Sequence, residues 1–177
     1  MLTSYLLVNL AMLIGAFSPM QAIEPVPRCP LELARYVLRD YPGITAGFQV
    51  RPTDRSVDLL FFIHSTDKNT THWFLAYSGN GQGISTHLAS IGVVAGSSLK
   101  PPNAGADRRE LDDLDYLAAD KTYRFMQSYA AYRSAEAPEH IFIPELQHAL
   151  WYQAEPREGV PVAFFDLQSC ANPRERN

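Results

Sequence analysis

The chain has no excess of positive charge. Its formal net charge is −4, and the charges are spread along the sequence, so the basic footprint expected of a nucleic-acid binder or of a protein held on an anionic membrane is missing. Internal repeats and long proline tracts are absent too, although thirteen prolines punctuate the sequence. No Gly-x-Ser-x-Gly elbow is present to serve a nucleophilic serine. The acidic run Glu110, Asp112, Asp113, Asp115 lacks the spacing and turn glycine of a calcium loop. The glycine-rich stretch Gly79-Asn80-Gly81-Gln82-Gly83 opens no helix, so it lacks the N-terminus that would hold a phosphate. No motif names a reaction.

Cysteine is scarce, with two in 177 residues. Cys29 and Cys170 make an even pair near the two ends of the chain, and in an exported protein such a pair reads as a disulfide. The bridge would close a loop of roughly 140 residues, which chain entropy values at about 5 kcal/mol as an upper figure. Neither cysteine has a flanking histidine or a basic helix start to make it a reactive thiol.

Charge is also missing at the start, where the first charged side chain is Glu24. The uncharged run Leu2 to Phe17, followed by Ser18-Pro19-Met20-Gln21-Ala22, has the pattern of a secretory signal cleaved after Ala22. The n-region carries no Lys or Arg. An uncleaved anchor is the alternative, but it normally needs about 20 apolar residues. The expected organisation is therefore a signal over 1–22 and a single domain over 23–177, long enough to bury a sizeable core. The expected compartment is periplasmic or extracellular, with no stable membrane association after cleavage.

What is present in abundance is strand pattern, most clearly over Val57 to Val94. Asn80-Gly81 is a strong hairpin signal, and placing the turn there pairs Tyr77 with Ile84 and Trp73 with Leu88. A three-residue loop at Asp67-Lys68-Asn69, with Asn at the left-handed position, pairs His64 with His72 and Phe61 with Leu75. One face then collects Val57, Leu59, Phe61, Ile63, Trp73, Leu75, Tyr77, Ile84, Thr86 and Leu88 as core. The other carries Phe62, His64, His72, Phe74 and His87. A one-residue slip would mix the two sets.

Around this centre, Pro30 to Asp40 is expected to be an amphipathic helix, and Gly47 to Arg51 a short strand. The region Arg108 to Arg133 is expected to be two helices. His140 to Ile143 reads as a brief strand. Leu146 to Ala154 and Val160 to Gln168 read as a hairpin because of their aromatics, with a helix over 146–154 as the alternative. The fold expected is α+β: an antiparallel, meander-like sheet with helices packed on one face and one disulfide from the N- to the C-terminal region.

The proposed register sets His64 opposite His72, with β-carbons about 5 Å apart and His87 on the diagonal. Three imidazoles so placed could ligate zinc, the one cofactor the sequence suggests. Imidazoles near strand ends also serve simply as hydrogen-bonding groups to loop backbone. Ser78, Ser85 and Asp58 on the same face are expected to be polar surface. Glu145 and His148 would share a face only on a helix. With no reaction motif, an exported binding or inhibitory module for a protein or cell-envelope ligand fits best, touching its partner through Phe62, His64, His72, Phe74 and His87. An exported metal-dependent enzyme using His64, His72 and His87 is the competing reading. A purely structural exported protein is the third.

Overall fold

The computed structural model describes residues 28–52, 57–78, 86–95, 101, 111–127 and 129–171. The expected signal over 1–22, the Asn80-Gly81 turn and Ser85 lie outside them. Eight antiparallel strands, each paired with its sequence neighbours, close into an up-and-down barrel. They are β1 (Ala34–Leu38), β2 (Tyr41–Pro52), β3 (Val57–Ser65), β4 (Thr70–Ser78), β5 (Thr86–Ala95), β6 (Leu114–Ala119), β7 (His140–Phe142) and β8 (Phe165–Cys170). Pairing of β1 with β8, from Ala34↔Cys170 to Leu38↔Phe165, closes the ring. The antiparallel meander was expected. The α+β architecture with helices covering one sheet face was expected too, and here the structure corrects the reading: the sheet closes into a barrel, and among the described residues no helix covers a face of it.

The segment expected as the first helix shows why. Ala34, Tyr36 and Leu38 are buried while Arg35 and Val37 are less so, a period of two that the apolar spacing hid within a helix-like pattern. Only Leu31–Leu33 winds, as a single 3₁₀ turn. Likewise Leu114, Tyr116 and Ala118 alternate inward on β6, and the rest of the supposed helical region, from Asp120 onward, forms turns and irregular backbone. Conversely, Leu146–Tyr152 is a helix, α1, and not a strand: Leu146, Ala149 and Leu150 bury one face at helical spacing while Trp151 and Tyr152 stay exposed.

An eight-stranded barrel leaves an interior just wide enough for side chains to fill. Here Phe48, Phe61, Phe74 and Tyr116 fill its middle, with Phe48–Phe61 centroids 5.0 Å apart and Phe61–Tyr116 rings edge-on at 6.0 Å. Tyr116 and Tyr36 are fully buried, and burial pushes both hydroxyl pKa values well up. At one end the Cys29–Cys170 disulfide ties the start of β1 to the end of β8. Nearby, Leu31 N–H donates to the Ala135 carbonyl and Ala137 N–H to that of Cys29. At the other end, α1 and the segment 153–160 sit over the β3–β4 turn.

That turn decides which side chains face inward. It is a four-residue connection, Thr66 to Asn69, with Asn69 in the left-handed region (φ 52°) as its chemistry suggested. The extra residue slips the register by one, so His64 pairs with Thr71 and Ile63 with His72. A slip of one reverses every facing: Phe74 enters the core, while Trp73 and Leu75 turn outward. A further irregularity lies in the β4–β5 ladder, where Trp73 pairs with Gly92 but Phe74 with Ser90. Outside the barrel, Leu60, Phe62 and Trp73 form a second buried cluster with Leu75, Ile91 and Val94 packed against it.

Candidate functional site

The corrected register dissolves the expected histidine face. His72 points into the barrel and is fully buried, whereas His64 and His87 lie on the outer surface. His64 Nδ1 is 2.9 Å from Thr71 Oγ1. His87 Nδ1 is 3.0 Å from Asp115 Oδ1, and its ring packs on Tyr77 at 5.4 Å. Phe62 and Phe74 are divided in the same way: Phe62 packs on Trp73 outside and Phe74 on Phe61 inside. Among the described residues no group of three His, Cys, Asp or Glu is placed to hold a metal ion. Glu145 and His148 do fall on or beside a helix, but they gain no third partner there.

The structure instead assembles a cleft of about 480 Å³ on α1, lined among the described residues by Gln147, His148, Trp151, Tyr152 and Gly159. Helical spacing brings His148 and Tyr152 together on one side, with ring centroids 4.8 Å apart. Trp151, 46% exposed, presents its indole next to them. Gly159 forms part of the wall: a β-carbon there would sit 3.6 Å from Trp151 Cζ3. The lining combines exposed aromatic surface with an amide and an imidazole. Its volume lies within the range that holds small ligands, about 300–1,000 Å³.

The wall is held from inside. Glu158 is buried, and its carboxylate accepts from Thr70 Oγ1. Glu158 Oε1 also lies 3.4 Å from His72 Nε2. Burial alone would raise the carboxyl pKa, but the adjacent His72 imidazole and the Thr70 hydroxyl outweigh it and hold the group below its usual range, with Lys68 adding a smaller pull. The Glu158 N–H donates to the Leu150 carbonyl at 2.9 Å, fixing the segment to α1.

A second polar cluster lies on the outer wall across β1, β7 and β8. Arg39 donates to both Asp166 oxygens, through Nε at 2.9 Å and Nη2 at 2.7 Å, and through Nη2 to Tyr123 Oη at 2.6 Å. His140 Nδ1 lies 2.6 Å from Asp166 Oδ1, and Tyr123 stacks on the imidazole at 4.0 Å. The Arg39 guanidinium sits over the Tyr123 and Phe164 rings. Arg39 first, then His140, lowers the Asp166 carboxyl pKa against the opposing effect of partial burial. An aspartate–histidine pair can orient a base, but here Asp166 is engaged by Arg39 and His140 together, and the cluster pins the 120–125 turn to the barrel.

Apart from His72, the residues of both clusters were not singled out from the sequence as a site. Arg39, Tyr123, His140 and Asp166 are far apart in the chain and meet only through barrel closure. The cleft had a legible signal, because the helical alternative for 146–154 puts His148, Trp151 and Tyr152 on adjoining faces. The fold defines the chain as a closed, disulfide-tied, up-and-down antiparallel barrel with an aromatic cleft at one end. Compared with family models, curated proteins and solved structures, the chain matches none.

Proposed function

We propose that this protein is an exported binding module whose ligand sits in the cleft on α1. The observation that carries this reading is the placement of Trp151 and Tyr152, the latter 66% exposed, on a short helix fixed over the barrel end. Tyrosine and tryptophan join a large apolar face to a polar edge and dominate recognition energetics where exposed and rigidly held. Gln147 and His148 add hydrogen-bonding groups beside them. A ligand suited to that surface offers a flat apolar face and a polar rim, the chemistry of a sugar ring from a cell-envelope glycan. Export is supported by the Cys29–Cys170 bridge, which belongs to an oxidising compartment.

The test is a fluorescence titration with the tetramer of N-acetylglucosamine. Trp73 is fully buried, so a spectral change on addition reports Trp151. A saturable change in the wild type that disappears in Tyr152→Ala and His148→Ala supports the reading. No change rejects the glycan. Saturation by N-acetylphenylalaninamide in its place assigns the cleft to an aromatic side chain of a protein partner. The metal-enzyme reading loses its geometric support with the inward turn of His72, and no arrangement among the described residues favours it.

A further inference from the structure

We propose that Glu158 is the positioning residue of the α1 cleft: its carboxylate, seated inside the barrel, holds Gly159 against Trp151 and so forms the cleft wall. The inference rests on the reading of the cleft as the binding site and adds the element that shapes it.

Ala154, Glu158 and Val160 are buried, while Glu155, Pro156, Arg157 and Gly159 are exposed. The segment is thus tacked down at three points. Two of them are apolar and non-directional. Glu158 is the one whose seat has fixed geometry, on Thr70 Oγ1 and beside His72 Nε2, both from the inner face of β4. Lys68, from the β3–β4 turn, is the other charged group acting on it. Its backbone N–H reaches the Leu150 carbonyl on α1. One residue therefore joins barrel interior, segment and helix, and the next residue in the chain is the glycine that lines the cleft beside Trp151.

A buried carboxylate is a poor way to add stability, because well-packed apolar residues of the same volume often do as well. What a directional buried pair supplies is a single placement for the groups attached to it. A leucine at 158 would keep the segment down without fixing where Gly159 lies along the indole.

The experiment compares wild type, Glu158→Gln, Thr70→Val and the exposed control Glu155→Gln. The first readout needs no ligand: acrylamide quenching of tryptophan, in which buried Trp73 is protected and Trp151 responds. Glu158→Gln is expected to raise the quenching constant about twofold as the wall loosens, with Glu155→Gln at the wild-type value. The second readout is the dissociation constant for the N-acetylglucosamine tetramer, expected to weaken about tenfold in Glu158→Gln, the scale of one charge-assisted hydrogen bond. Should Glu158→Gln fail to fold by near-ultraviolet circular dichroism, Thr70→Val removes one bond to the carboxylate and must give a smaller shift in the same direction. Wild-type quenching in the folded Glu158→Gln protein, or in Thr70→Val where it stands in, overturns the proposal. If the wild type binds no tetramer, the glycan reading fails by itself, and quenching still decides the role of Glu158.

Discussion

His72 Nε2 lies 3.4 Å from Glu158 Oε1, with both side chains almost wholly withdrawn from solvent. This contact joins the inner face of β4 to the segment over the barrel end. Removing the carboxylate leaves the buried Thr70 hydroxyl without its acceptor and the His72 imidazole without its polar neighbour, and an unsatisfied buried polar group costs about 1–3 kcal/mol. Glu158→Ala is therefore expected to lower the unfolding free energy by about that amount, measured by urea titration at pH 7. A loss below 1 kcal/mol would show that the carboxylate is not seated.

The same group sets an acid limit. The adjacent His72 imidazole and the Thr70 hydroxyl outweigh the effect of burial and hold the Glu158 pKa below its ordinary value in the folded state. A carboxyl with a depressed folded pKa contributes stability above its unfolded pKa, about 4.3, and that contribution is lost as pH falls through the folded value. The wild type should lose more stability than Glu158→Gln between pH 5 and pH 2 (roughly the window in which such carboxylates titrate). Thermal melts of the two proteins across that range check it, and parallel curves would refute it.

Asp166 gives a weaker version of the same behaviour. Its pKa is lowered chiefly by Arg39, yet about a third of each side chain remains exposed. Screening limits such a pair, so Asp166→Asn should cost only about 1 kcal/mol at pH 7. It should cost nothing once acid has protonated the wild-type carboxyl. The local readout is sharper: amide exchange at Tyr123, whose hydroxyl takes a bond from Arg39, should accelerate while the core amides of β3 and β4 do not.

Gly47 marks where the barrel wall is tightest. A β-carbon there would stand 2.9 Å from Phe62 Cζ and 3.0 Å from the Ala34 carbonyl oxygen. The ring could turn, but the neighbouring strand could move only by disturbing its ladder with β2. Gly47→Ala is expected to destabilise by about 1–3 kcal/mol, the usual range for overpacking. Denaturation with unchanged urea slope would show that the loss is in packing and not in the extent of folding.

The sequence made the strands of Val57 to Val94 legible, together with the left-handed Asn69 and the Cys29–Cys170 bridge. Closure was hidden, because β1 meets β8 only after the rest of the chain has been laid down, and nothing local in Ala34–Leu38 announces that partner. Helical and strand spacing coincide in that short run, as they do in Leu146–Tyr152, so period alone could not assign either. The histidine site failed for a more exact reason. Turn chemistry fixed which residue is left-handed but left open whether Thr66 belongs to the strand or the turn, and that single residue sends His72 to the other side of the sheet. The irregularity beside Trp73 and Phe74 was silent as well, since Gly92, with its φ of 144°, is its main trace in the sequence.

That register carries its own test in two adjacent residues of β4. Phe74 is fully buried against Phe61, whereas Leu75 faces outward and is only partly covered. The pairing expected from a three-residue turn would reverse them. Truncating a core phenylalanine costs about 3–5 kcal/mol, because lost transfer energy adds to the cavity left behind. Phe74→Ala should therefore approach that figure, and Leu75→Ala should cost about 1 kcal/mol, nearer the value of partial apolar burial. Urea unfolding of both variants at pH 7 reads the difference. If Leu75→Ala proves the more damaging of the two, β4 sits one residue out of the register described and His72 returns to the outer face beside His64.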